Sequence, residues 1–287
     1  MDQVNSPGGA NASRCFLFAA YYSNNRVDGA DLFHLKKLAE LGDVFVFVNT
    51  NQFPVAEVER LRPYVKKVVF EAHEELDFGS WKRLVTTIGF DRLAQYDEIV
   101  TVNNSLILVG ELGPVLQKFE HSKASFGALL LVDEHYTGPV IHLNDYLATH
   151  DVQLSSAMFP STFWIFTREF FARPLVQNFF LSVKPESNRV EVCYRYERGF
   201  TRSIFRHGEK YWLFLDTVFK NSSIYTADAF KMIDLGLPYL KKKSLTQTYY
   251  QIDSFEARFA RLIKNATPAV AAALQEQLHE LVNQGDQ

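Results

Sequence analysis

Uninterrupted apolar runs alternate, over the first hundred residues, with stretches whose apolar positions recur every three or four residues. This is the pattern of buried strands separated by amphipathic helices. Cys15–Tyr21, Val44–Val48, Val68–Phe70 and Glu98–Val102 read as strands, and Leu32, Leu35, Leu38, Ala39 and Leu41 mark a helix between the first two. Helices are expected over Val55–Leu61 and Trp81–Leu93. That order predicts an α/β fold with a mostly parallel central sheet flanked by helices. Farther along, Phe126–Val132 and Phe163–Thr167 read as strands, Arg168–Phe180 as a helix that Pro174 kinks or restarts, and Glu191–Phe205 as a helix ended by Gly208.

The ends of the chain read differently. Met1 to Ser13 is polar with a Pro-Gly-Gly, so residues 1–13 are expected to be a disordered tail ahead of a main domain over 14–245. Residues 246–287 are expected to form a C-terminal helical extension. Within it, Thr267 and Pro268 suit a cap and first turn, and Val270, Leu274, Leu278, Leu281 and Val282 form one apolar stripe. That helix is not basic, which favours core packing or a homodimer seam over membrane contact.

Composition narrows the function classes. With 287 residues, 47% hydrophobic, the chain can bury a large core without metal or disulfide staples. Its 30 basic and 33 acidic residues nearly cancel and form no long basic stripe, which argues against nucleic acid as a partner. Cys15 and Cys193 sit among apolar and aromatic neighbours, so a disulfide scaffold is not expected. No run reaches the ~18 apolar residues of a membrane span; a cytoplasmic protein, or one peripheral at the inner membrane, is expected. There is no phosphate-binding G-x-x-x-x-G-K-[ST] or G-x-G-x-x-G, no G-x-S-x-G elbow and no close metal spacing among the histidines.

Candidate chemistry lies where strands end. The run Glu98–Val102 stops in Asn103-Asn104-Ser105, and the run ending at Phe70 is followed by Glu74-Glu-Leu-Asp-Phe-Gly-Ser-Trp-Lys82. In open α/β sheets ligands bind beyond the carboxyl ends of strands. A plain turn accounts equally well for the first segment, and a helix cap by Asp77 or Ser80 for the second.

Taken in order, Phe16–Tyr21, Asp77-Phe-Gly-Ser-Trp-Lys82, Tyr96–Ser105, Ser161-Thr-Phe163, Tyr196-Glu197 with Gly208, and Leu237-Pro-Tyr-Leu-Lys241 resemble the rhamnan synthesis protein F family of bacterial polysaccharide glycosyltransferases. The resemblance implies a GT-A-like domain over residues 14–245 that moves a sugar, rhamnose or another deoxyhexose, from a nucleoside diphosphate donor to a glycan or lipid-linked glycan acceptor in surface polysaccharide synthesis. Three departures stand out. The family's Asn-Asp-Ser is Asn103-Asn104-Ser105 here, its Asn and Gly ahead of Asp-Phe-Gly are His73 and Glu75, and its His-x-Gln-Ser is Met158-Phe-Pro-Ser161. They leave open a second reading, a catalytically degenerate subunit that binds a glycan or a partner.

Breaking a sugar–phosphate bond places negative charge on the departing diphosphate and calls for a base on the acceptor hydroxyl. Glu197 is the expected base, at the opening of a helix; the alternative is a carboxylate favoured there by the helix dipole. Tyr21, Asp77, Asn103, Asn104, Ser105, Lys241 and Lys243 are expected at the donor, with Arg198 or Arg202 as further cations. The two lysines also read as an ordinary solvated patch. Ser161 and Trp81 are expected to meet the acceptor or sugar. Asn104 is a weak ligand for Mg²⁺ or Mn²⁺, so a divalent metal stays an open expectation.

Overall fold

The computed structural model describes residues 12–220, 224, 226, 228–245 and 255–285. The greater part of the expected tail and residues 246–254 lie outside these. In chain order the described strands are β1 Arg14–Ala20, β2 Asp43–Val48, β3 Lys67–Phe70, β4 Glu98–Asn103, β5 Leu106–Leu108, β6 Phe126–Ala128, β7 Leu131–Asp133, β8 Ile141–His142, β9 Ala157–Met158, β10 Phe163–Thr167, β11 Tyr211–Leu213, β12 Thr217–Lys220 and β13 Tyr239–Lys241.

Seven of them form one sheet in the order β11-β6-β10-β4-β1-β2-β3. Strands β1 to β4 run parallel, whereas β10 is antiparallel to both β4 and β6. The fold is therefore α/β with a mostly parallel central sheet flanked by helices. All seven residues of β1 are buried because both faces of the strand are covered, which explains its continuous apolar run. Alternation still sorts its side chains: Phe16 and Phe18 enter one core, Cys15, Leu17 and Ala19 the other. Two smaller sheets, β8-β12-β7-β9 and β13-β5, sit beside the main one.

This topology brings distant segments to one edge. The carboxyl ends of β1 and β4 lie side by side, with Ala19 opposite Asn103. Because β10 is reversed, Phe163 pairs with Val102, so its amino end and the preceding Ser161 reach that same edge. The β13–β5 pairing sets Lys241 opposite Leu106, next to Ser105.

Several sequence expectations shift. Val55–Leu61 is helical as expected, and Pro174 starts a new helix, Pro174–Ser182, after a short one over Arg168–Phe171. The run Phe126–Val132 is not one strand: it bends at Leu129-Leu130, and β6 and β7 join different sheets. The helix expected from Trp81 begins at Leu76 and stops at Ile88, where Gly89 at φ 95 breaks it. The helix expected from Glu191 begins at Arg189, capped by Asn188, whose side chain accepts from the Glu191 amide at 3.0 Å. It passes through a π-helical turn, Cys193–Arg198, into Gly199–Arg206, and Gly208 at φ 62 closes it as expected.

Trp81 is a correction. It is fully buried among Phe78 and Trp164, and its indole N–H donates to the carbonyls of Leu17 at 3.0 Å and Val102 at 3.2 Å. It ties the strands together instead of meeting a sugar. Trp81→Ala is expected to cost roughly 3–5 kcal/mol in a denaturant titration, the usual range for emptying a buried aromatic site.

At the other end, the helix Pro268–Gly285 buries Val270 and Leu274 in a third apolar cluster with Ala30, Ile107 and Leu240. These stripe residues serve the chain's own core. The side chains of Leu278, Leu281 and Val282 lie outside the described residues.

Candidate active site

At the edge where β1, β4 and β10 meet, Asn103 turns back from the end of β4 and is 2% exposed. Its amide N–H donates to Asp77 Oδ2 at 2.8 Å, while its carbonyl accepts from the Ser105 amide at 3.2 Å and the Ser105 hydroxyl at 2.5 Å. Both ends of the Asn103 side-chain amide thus orient its neighbours. Asp77 lies in the first turn of the helix Leu76–Ile88 and makes no cap, because the helix starts a residue before it. Leu76 itself adopts the left-handed φ of 52°, the bend that swings Asp77 inward. Gly79 is needed two residues later, since a Cβ there would lie 2.6 Å from both His73 Nδ1 and Glu75 Cβ.

From the β13 side, Lys241 Nζ donates to Ser105 Oγ at 2.7 Å. It lies in the combined field of Asp77 and Glu197. Burial pulls the Lys241 pKa down to about 8 against the pull of both carboxylates, with Arg189 and Lys243 adding to the fall. Burial likewise raises the Asp77 carboxyl above its ordinary value; Lys241, Arg189 and the Asn103 amide oppose that rise, and Glu197 adds to it. Lys243 is held below its usual range by burial and by Arg189.

Glu197 sits inside the π-helical turn, not at a helix start, so the dipole alternative falls away. Such turns are frequent at functional sites. Its Oε1 accepts from the Ser161 amide at 2.8 Å and the Ser161 hydroxyl at 2.7 Å. One turn earlier, burial and then Glu197 push the Cys193 thiol up to about 12, so no thiolate competes as a nucleophile at neutral pH.

The structure thus brings Asp77, Asn103, Ser105, Ser161, Glu197, Lys241 and Lys243 together at one edge of the sheet. Other expected members face elsewhere. The Asn104 side chain locks the end of β1, accepting from the Tyr21 amide at 3.3 Å and donating to the Tyr21 carbonyl at 3.0 Å. The Tyr21 side chain is 63% exposed at the rim. Arg198 pairs with Glu134, and Arg202 donates to the Ser155 carbonyl at 2.9 Å, so neither joins the cluster. Arg189, which acts on Asp77, Lys241 and Lys243, escaped sequence reasoning. The signal was present in Asn188-Arg-Val-Glu191, whose cap residue followed three positions later by Glu marks a helix start at Arg189.

The donor set does not suit a divalent cation. Asp77 and Glu197 share Lys241, whose ammonium already acts on both carboxylates, and the Asn104 amide is engaged with Tyr21. Among the described residues no three His, Cys, Asp or Glu side chains cluster as ligands.

The rhamnan synthesis protein F family model matches residues 45–279, well over half of the chain. The chain belongs to that family. As a rhamnan synthesis F member it belongs to polysaccharide synthesis. Solved structures similar to it include the glycosyltransferase GlyE of Streptococcus pneumoniae TIGR4, at 10% identity and TM-score 0.48 over 95% of this chain and 64% of that one. TarS of S. aureus in complex with UDP is similar at 12% identity and TM-score 0.47, over 95% of this chain and 71% of that one. Core-mannan synthase A of Aspergillus fumigatus, in a Mn/GDP form, is similar at 13% identity and TM-score 0.33, over 62% of this chain and 65% of that one. No curated protein sequence matches the chain. No described helix of this family member is long and apolar enough to cross a membrane.

Proposed function

We propose that this cleft transfers a sugar, rhamnose or another deoxyhexose, from a nucleoside diphosphate donor to a hydroxyl of a glycan or lipid-linked glycan. The observation that carries the reading is the placement of Lys241 against Ser105 between two carboxylates, with Arg189 and Lys243 beside it. Lys241, Lys243 and Arg189 bring the positive charge that a diphosphate calls for. Family membership in rhamnan synthesis supports rhamnose as the sugar.

In the proposed step Glu197 accepts the proton of the acceptor hydroxyl as its oxygen bonds to the anomeric carbon, and the carbon–oxygen bond to the diphosphate breaks with its electron pair leaving on the phosphate. Lys241 and Arg189 offset the charge that develops there. The Ser161 amide and hydroxyl hold the Glu197 carboxylate by Oε1. Asp77, oriented by Asn103, holds hydroxyls of the donor.

Thermal-shift screening against a panel of nucleotide sugars, with and without Mn²⁺, tests the proposal. A shift with one donor that persists without metal is expected; no shift with any of them would overturn it. The second reading, a binding subunit without turnover, draws on Asn104, which stands where the resemblance expects Asp and whose side chain bonds to the Tyr21 backbone.

Affinity for the donor should also depend on pH with a definite sign. Below about 8 Lys241 carries its proton and attracts the diphosphate; above, that attraction is lost. Stability runs the other way, since a lysine whose pKa is lowered by folding penalises the fold while charged and is relieved as pH rises through about 8. Calorimetric titration with the donor's nucleoside diphosphate between pH 6.5 and roughly pH 9.5 is expected to show affinity falling above the midpoint.

A further inference from the structure

We propose that Lys242, Asp28 and Asp31 form a positioning clamp that fixes Lys241 in the donor cleft from behind. The proposal rests on the reading of Lys241 as the cation that meets the diphosphate.

Lys241 ends β13 and Lys242 opens the 3₁₀ turn Lys242–Leu245 that follows it, and their side chains take separate partners. Lys241 reaches Ser105 Oγ, whereas Lys242 Nζ donates to Asp28 Oδ2 at 2.6 Å and Asp31 Oδ1 at 2.9 Å. Asp28 caps the helix Gly29–Ala39, which follows β1, and its side chain accepts from the Asp31 amide at 2.7 Å. Asp31 is fully buried, and the side chains of Lys242 and Asp28 are 15% and 16% exposed. A triad this enclosed costs desolvation that its own attraction scarcely offsets, so a role in fixing geometry accounts for it better than stability does.

The link to Lys241 is short and covalent. The Lys242 amide donates to the Ser105 carbonyl at 2.9 Å, so Ser105 is held by the backbone of one lysine and the ammonium of the other. Behind the clamp, the Val27 amide donates to Glu57 at 3.0 Å, and His34 Nε2 lies 2.8 Å from the Tyr239 hydroxyl, which binds the same helix to β13. Groups on the Lys242 side are thus Asp28, Asp31, Tyr22, His34 and Glu57; those facing Lys241 are Asp77, Glu197, Arg189 and Lys243. Releasing Lys242 frees the end of β13, and Lys241 moves toward solvent.

The test is a neutral replacement of the clamp, Asp28→Asn, Asp31→Asn and Lys242→Met together, compared with the conservative Lys242→Arg. Nitrogen-detected NMR titration of the Lys241 ammonium needs no ligand, and calorimetry with UDP, GDP and dTDP reads binding. In the triple variant the Lys241 midpoint is expected to rise from about 8 toward that of a solvated lysine, and the nucleoside diphosphate that binds the parent to bind roughly tenfold more weakly at pH 7. Lys242→Arg should restore both. If the triple variant does not fold, Asp31→Asn alone, which leaves Lys242 on Asp28, supplies the comparison. A folded variant with unchanged midpoint and affinity would overturn the clamp. A parent that binds no nucleoside diphosphate while the midpoint still moves would overturn the donor reading and leave the clamp standing.

Discussion

Lys241→Met is expected to lower kcat/KM by roughly 100- to 1,000-fold and to remove the thermal shift given by the donor, the scale seen when one preorganised donor to a developing anion is lost. The side chain enters the site from β13. Its Nζ contacts Ser105 Oγ at 2.7 Å and stands in the field of Asp77 and Glu197. Stability should not fall with activity. Because burial already holds Lys241 near a pKa of about 8, its charged form is a liability to the empty fold, and an apolar side chain of similar length relieves it. The measurement is therefore a pair: steady-state kinetics and the melting temperature of the ligand-free protein. Loss of activity with an unchanged or higher melting temperature supports the assignment, and full activity in the methionine variant would end it.

The sequence carried the strand ends well and the traffic between them poorly. Asn103, Asp77 and Ser161 could be seen as polar interruptions of apolar runs, since a buried strand must stop where its side chains turn polar. Their shared location followed from strand order, which periodicity does not encode: the reversed β10 brings Ser161 to the edge where β4 ends. Asn104 misled for a related reason. Its residue type matched a ligand position, but which of two adjacent amides faces the cleft is fixed by backbone direction, and the Tyr21 backbone claimed this one. Trp81 misled because a large aromatic near a cleft motif looks like a stacking platform, while its indole N–H had two buried carbonyls to satisfy. The small strands β7, β8, β9 and β12, two to four residues each, fall below the length at which alternation is readable. Lys242 was hidden in a run of three lysines, where only the step from the last residue of β13 into the 3₁₀ turn separates one that meets Ser105 from one that anchors a helix.

Glu197→Gln separates catalysis from binding. The replacement keeps an oxygen at the position of Oε1, so the bonds from the Ser161 amide at 2.8 Å and hydroxyl at 2.7 Å survive, and with them the π-helical turn. What it removes is the basic oxygen pair that takes the acceptor's proton, and kcat is expected to fall by about 10²- to 10⁴-fold, the usual worth of general base catalysis. Donor affinity should change little, because Glu197 acts on the diphosphate only through Lys241, and the loss of one carboxylate leaves the cleft slightly more positive. Single-turnover transfer measured beside calorimetric donor binding distinguishes the cases. Turnover lost with binding intact identifies Glu197 as the base; turnover retained assigns proton removal to another group. A parent that binds the donor yet transfers nothing to any glycan acceptor would make the site one of recognition alone.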